Sequence, residues 1–431
     1  MIAGLARPAP WLAAATCLLL AACDAAKPAA APAAAPAPTR PSYAAELRKL
    51  DAAIAEGPSL IAKRPDDALV RLEVAALHLE RARLTGAYED YGRAEALLAA
   101  LPDAARTLPA ACMARAKLHY TLHRLSRAMA ALAQCPSLPD DQSAGLRADI
   151  AMQSGRYAEA EAAYRALVNG IGLSPQYVQL AHLRGRTGAP GEAAALLEAA
   201  ERRYHGGSPT MKAWLKLQRG LLALDRGRLD EALAMYRLAS DELTGWWLVD
   251  EHIAEVLALE GRTEDARRIY KDVVERTGAP EFLDALADLE AQAGRDAEAR
   301  ALAARARPIY EQRLAGFPEA AAGHALGHFM RDAADAKLAL ALAQRNHAAR
   351  PGGEAVVELA KAWLLAGQPR KAVPLLQAEL ARGWDTAEAW WVLGEALERA
   401  GQRERSPAAR AKALQRNPRS AQMYALAPPQ G

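Results

Sequence analysis

A phrase of six residues recurs along the chain and restricts it to one kind of architecture. It reads Gly155-Arg156-Tyr157-Ala158-Glu159-Ala160, then Gly227-Arg228-Leu229-Asp230-Glu231-Ala232. It returns as Gly261-Arg262-Thr263-Glu264-Asp265-Ala266 and Gly294-Arg295-Asp296-Ala297-Glu298-Ala299. Gly188, Gly367 and Gly401 hold the same place in other units, and the steps 227→261, 261→294 and 367→401 are 34, 33 and 34 residues. A fixed period of this length marks a stacked array of one supersecondary unit, because a single unit cannot bury its own apolar face. Ala, Leu, Arg and Glu dominate, which favours helix over strand. Each period is therefore expected to hold two helices joined at the Gly. There Gly permits the positive φ that ends the first helix, and the Ala five residues on is small enough for the second to lie close. Tyr164, Tyr236 and Tyr270, four residues past that Ala, are expected to fill the space one turn further along.

A chain of 431 residues would ordinarily split into two or three domains, and an array escapes that limit because each unit packs only on its neighbours. The phrase and its spacing give about ten helix pairs from Asp66 on. The first spans Asp66 to Leu101, with Thr85 and Gly86 in its turn, and the second spans Leu108 to Pro136. Tyr43 to Glu56 is expected to be a lead-in helix stopped by Gly57-Pro58. Insertions fall at Gly206-Gly207-Ser208-Pro209 and at Pro308 to Glu319. A short helix, Ser420 to Leu426, is expected to cover the last unit, ahead of a disordered tail at 428–431. Lys and Arg number 54 against 51 Asp and Glu. That balance, without a basic stripe of interleaved aromatics, argues against a nucleic-acid partner.

The unit from Glu388 to Pro418 carries Trp390, Leu393, Gly394, Leu397, Ala413 and Pro418 at the offsets of a W-x2-LG-x2-Y…A…P pattern. It resembles a tetratricopeptide repeat, departing from that pattern at Ser406-Pro407, where helix B is expected to carry a small residue. The resemblance implies an all-α, right-handed superhelical α-solenoid of about ten helix-turn-helix pairs over residues 42–427, with a concave wall built mainly by the first (A) helices. It also implies that the fifth and ninth residues of helix A face the groove. Those positions are Glu251 and Glu255, Asp284 and Asp288, and His324 and His328, each pair on one helix face. Trp214 and Trp391 fall on the groove side, as binding residues or packed against the next helix. Trp390 and Trp363 fall on packing positions. His119 and His123 read as structural, with His119 toward the core of its pair.

The N-terminus reads as an address. Residues 1–22 hold Arg7 and then an apolar run from Trp11 to Leu20, too short to span a bilayer and of the form of an export signal. Leu20-Ala21-Ala22-Cys23 resembles the lipobox of bacterial lipoproteins, which implies lipidation at Cys23 and a chain anchored to the cell envelope with its solenoid in the periplasm. Asp24 resembles an inner-membrane retention signal. The Ala/Pro-rich stretch completing residues 23–41 reads as an extended, disordered tether.

No residue set for catalysis is present: there is no G-x-S-x-G, no H-E-x-x-H and no P-loop. Two thiols remain after export, Cys112 and Cys135, at ends of the second pair that antiparallel helices bring together. They form either a disulfide, in an oxidising compartment, or two buried free thiols. The acidic and imidazole wall admits two uses. It is a recognition surface for a basic peptide, or Asp284, Asp288, His324 and His328 hold a divalent transition metal. The first makes the chain a non-enzymatic, membrane-anchored interaction scaffold for another envelope protein or peptide, needing no cofactor. The second makes it a metal-handling accessory.

Overall fold

The computed structural model describes residues 40–135 and 137–426. The export signal, Cys23, Asp24, most of the tether and the 428–431 tail lie outside the described residues. Helix α1 (Tyr43–Lys63) leads in. Ten hairpin pairs follow among the described residues. They are α2 (Ala68–Thr85) with α3 (Tyr88–Ala99), α4 (Pro109–Thr121) with α5 (Leu125–Ala133), and α6 (Asp140–Gln153) with α7 (Tyr157–Gly170). Next come α8 (Ser174–Arg186) with α9 (Pro190–Arg203), α10 (Pro209–Asp225) with α11 (Leu229–Glu242), and α12 (Trp247–Leu259) with α13 (Thr263–Thr277). The last are α14 (Pro280–Gln292) with α15 (Asp296–Gly316), α16 (Pro318–Phe329) with α17 (Ala336–Ala349), α18 (Gly353–Leu365) with α19 (Pro369–Ala381), and α20 (Ala387–Arg399) with α21 (Ser406–Arg416). A short α22 (Ser420–Met423) closes the array. This is an all-α solenoid of helix pairs.

Three boundaries differ from the sequence reading. Helix α1 runs through Gly57 and Pro58, because Gly57 packs on α2: a Cβ there would stand 2.9 Å from Val74 Cγ1. The insertion at Pro308 is a helical extension that lengthens α15 to 21 residues. Helix α22 stops at Met423, and Met423 and Tyr424 enter the main core.

In three of the four pairs that carry the full phrase it works as its residue types imply; in the fourth Ala299 is half-buried, and Ala306 and Tyr310 are the buried residues instead. Its glycines have φ between 68° and 83°, and Ala160, Ala232 and Ala266 are fully buried. Tyr164, Tyr236 and Tyr270 are buried behind them. The Tyr164 hydroxyl donates to Asp149 Oδ1 at 2.6 Å, and the Gln179 amide donates to both oxygens of that carboxylate at 3.0 Å. Burial nevertheless pushes Asp149 up to about 7. In the second pair the left-handed place belongs to His123, φ 57°, the one non-glycine with positive φ among the described residues.

The array also coils back on itself. Residues about 200 apart meet, so one superhelical turn takes about six units. Ser42 bridges Thr244, and the Trp247 indole donates to Leu84 O at 2.9 Å. Tyr157 donates to Glu379 and accepts from Gly353 N–H at 2.7 Å. Asp385 N–H donates to Arg186 O at 2.8 Å, and Asn417 donates to Asp225 O at 3.2 Å. At Leu84, Arg186 and Asp225 the C-terminal end of an A helix in the first turn touches a segment that leads into a helix of the second. The phrase glycines divide accordingly. A Cβ on Gly227 would lie 2.3 Å from Asn417 Oδ1, and one on Gly188 would lie 2.6 Å from Asp385 Oδ2. Around Gly261, Gly294, Gly367 and Gly401 nothing stands within 4 Å.

Two predictions follow from this packing. Gly261→Ala is expected to cost about 1 kcal/mol for the left-handed backbone alone. Gly227→Ala is expected to cost about 1–3 kcal/mol more from overpacking against buried Asn417, read as a lower midpoint in chemical unfolding. Equal losses at the two sites would mean that the turns do not touch. For Asp149, the folded-state value lies above the unfolded one near 4. Its contribution is thus present in full at low pH and lost as pH rises through about 7. Asp149→Asn is expected to raise the unfolding midpoint more at pH 8 than at pH 5, and an equal shift at both would contradict this assignment.

Candidate functional site

The A helices line the inside of the superhelix, and stacking of the second turn on the first closes their groove into a channel. Its upper part is a cavity of about 1300 Å³, with Glu80, Met113 and Lys117 from α2 and α4 on one side and Trp247, Phe282 and Arg313 from the second turn on the other. Its lower part is about 560 Å³, lined by Asp284, His328, Arg331, Glu358 and Lys361, and it ends against Tyr424, Ala425 and Leu426 of the chain's own C-terminal segment. Glu281 and His324 belong to both parts.

Of the groove residues expected from sequence, Asp284, Asp288, His324 and His328 line this channel, and Glu251, Glu255, Trp214 and Trp391 do not. Glu251 and Glu255 are 1% and 4% exposed. His252 lies between them, Nε2 3.1 Å from Glu251 Oε1 and Nδ1 3.2 Å from Glu255 Oε2. Tyr270 is pushed up by its own burial and then by these two carboxylates. Asp284 and Asp288 do line the channel, yet both are engaged. His328 Nδ1 lies 2.9 Å from Asp284 Oδ1. The Arg331 guanidinium bonds Asp288 at 2.6 Å and Asp284 O at 2.9 Å.

His324 does not join them. Its ring stacks on His123 across the seam, centroids 6.4 Å apart and planes 6° from parallel. Burial, then Arg350 and Arg313, push it down to about 3. The four residues Asp284, Asp288, His324 and His328 are therefore not assembled as one metal site, because a guanidinium occupies the place a cation would take. Among the described residues, the one group of His, Cys, Asp and Glu close enough to share an ion is Glu251, His252 and Glu255. The sequence reading had the two glutamates and passed over the histidine between them, although Glu-His-x-x-Glu puts all three within one helical turn.

The tryptophans resolve as packing residues with polar edges. Trp214 is half-buried between two apolar clusters, so it braces the wall. Trp391 packs on the main core with the Arg410 guanidinium 5.5 Å from its ring centre. Trp390 donates to Asp385 at 2.6 Å beneath Lys412, whose ammonium lies 4.0 Å from the ring centre. Trp363 is half-buried against two core clusters. The His119 Nδ1 is buried within its pair. Cys112 and Cys135 are joined in a disulfide, Cα atoms 6.2 Å apart. Lys117, which sequence reading did not single out, is half-buried in the upper cavity. Burial and then Arg83 push its amine down to about 8, and it has no ion-pair partner among the described residues.

No protein family matches the sequence, and no curated protein matches it. Solved structures with some likeness include MamA, at 15% identity over 38% of this chain and 95% of that one, TM-score 0.32. A tetratricopeptide repeat protein from Parabacteroides merdae shares 16% identity over 56% and 93%, TM-score 0.34. Yeast Tom70 shares 13% identity over 86% and 96%, TM-score 0.33. The chain's own ten helix pairs, their 34-residue period and the buried Gly–Ala–Tyr phrase make its fold an α-solenoid of tetratricopeptide-like repeats.

Proposed function

We propose that this chain is a non-enzymatic scaffold, lipid-anchored through Cys23 in the bacterial cell envelope, that takes a peptide or helix of a partner envelope protein into its interior channel. The observation that carries the reading is the upper cavity. At about 1300 Å³ it exceeds the roughly 300–1,000 Å³ of an ordinary small-molecule pocket, and its wall mixes aromatic and aliphatic faces with charged heads. Such a surface suits a segment that inserts apolar side chains and presents a few polar ones.

Charge refines the partner. A basic peptide would have to compete with Arg331 and His328 for Asp284 and Asp288, which are already engaged. Lys117 has no ion-pair partner among the described residues, and burial has already removed part of its hydration. A carboxylate arriving with the peptide would restore what the amine lost on burial. The partner segment is accordingly apolar with at least one acidic side chain near Lys117. Tethering by the Ala/Pro-rich stretch at 25–41 would keep the channel within reach of the membrane while leaving it free to turn.

Placing a photo-crosslinking amino acid at Met113, inside the channel, is expected to trap a discrete partner in living cells. Arg300, exposed on α15, is expected to trap none. Adding Lys117→Glu to the Met113 probe should reduce the adduct about tenfold. Equal adducts at Met113 and Arg300 would remove the channel from the account. For the anchor, Cys23→Ser is expected to abolish incorporation of labelled fatty acid and release the chain from the membrane fraction. Labelling that persists in that variant would refute lipidation at Cys23.

A further inference from the structure

A second polar site lies in the channel wall itself, between α10 and α12. A small cavity of about 60 Å³ is lined by His252, Glu255, Gln218 and His182. It exceeds the ~10–15 Å³ that one water-sized sphere needs. We propose that this cavity binds one divalent first-row transition-metal ion, held by His252 Nδ1, Glu255 and the Gln218 amide, with Glu251 fixing the imidazole from behind.

Three observations support it. The Glu251, His252 and Glu255 donor atoms lie within 4.8 Å of one another, all three buried. His252 Nδ1 stands 3.2 Å from Glu255 Oε2, close to the roughly 3.3 Å separating two ligand atoms at ~2.0–2.1 Å from a tetrahedral zinc. On the far side of the ring, Nε2 faces Glu251 Oε1 at 3.1 Å. That is the arrangement in which a carboxylate accepts the second ring N–H, sets the tautomer and raises the basicity of the nitrogen facing the metal. The third observation is independent of the carboxylates. Gln218 is 6% exposed, and its Nε2 is buried with no hydrogen-bond partner. A buried amide left this way is costly. An amide flip would place its oxygen where Nε2 now stands, and a cation there would give that oxygen a partner.

Arg186 and Asp225 line the same cavity and pair with each other at 3.0 Å. His182 lines the cavity beside Gln218 and supplies a second imidazole. One or two imidazoles with carboxylate and amide oxygen suit Zn²⁺, Co²⁺ or Ni²⁺ better than Ca²⁺ or Mg²⁺, which prefer oxygen alone. The Tyr236 ring stacks on His252, centroids 5.4 Å apart, and holds it in place without entering the donor set.

The test uses the full chain in mild detergent, stripped with EDTA and titrated with Co²⁺ and then Zn²⁺. One equivalent of Co²⁺ is expected to bind, with a visible d–d band that Zn²⁺ displaces and a rise in the thermal midpoint. Glu255→Gln and Gln218→Leu, each checked for native helix content by circular dichroism, are expected to lose the band. Glu251→Gln, a positioning change, should keep the band but weaken binding about 10–100-fold. Asp284→Asn/His328→Gln should leave binding intact. A folded parent chain that shows no band and no midpoint shift overturns the proposal. So does Co²⁺ binding that survives Glu255→Gln and Gln218→Leu, or that is lost in Asp284→Asn/His328→Gln.

Discussion

The close approach of two successive superhelical turns governs most of this molecule. It requires backbone to meet side chain with no Cβ between them, as where Gly227 faces buried Asn417. The same glycine ends an A helix in the left-handed region, so one residue type serves two geometric needs at one place. Hydrogen bonds from Trp247 to Leu84, from Asp385 to Arg186 and from Asn417 to Asp225 then run along the seam. Without that contact the A helices would line an open groove. With it, they enclose a channel.

Enclosure changes the chemistry of the wall. Charges that would sit in water on an open groove are partly desolvated, and each must find a partner or lose its charge. Asp284 takes His328 and Asp288 takes Arg331, and Lys361 takes Glu388. Glu358, accepting from Asn346 at 2.7 Å, is still pushed up to about 7 by burial. His324 is pushed down to about 3 and Lys117 to about 8. The buried charges of the lower channel are thus largely satisfied within the chain. Lys117, in the upper cavity, has no ion-pair partner among the described residues, and that is what gives the proposed partner its acidic side chain.

Local structure was legible from the chain because it depends on near neighbours. Gly at the turn, Ala at the crossing and Tyr164, Tyr236 or Tyr270 behind it specify a helix pair within one period, and all three tyrosines are buried as that logic requires. What was not legible depends on residues about 200 apart. No periodic pattern marks Gly227 as a contact residue and Gly261 as a free one, since the two phrases look alike. The groove register failed for a related reason. The fifth and ninth positions of α12 were expected on the groove, but Glu251 and Glu255 are buried, and burial of that kind is a tertiary property. Pro308 and Pro58 misled in the opposite direction: each sits within a helix that packing sustains.

Small-angle X-ray scattering from the chain beginning at Arg40 tests the closed superhelix most directly. A chain of this length packed as a compact body has a radius of gyration of about 21 Å. A measured value within a few ångströms of that, unchanged by salt, is the result expected if the second turn rests on the first. A clearly larger radius with the profile of an elongated particle would mean that the turns stand apart, and the enclosed channel would not exist.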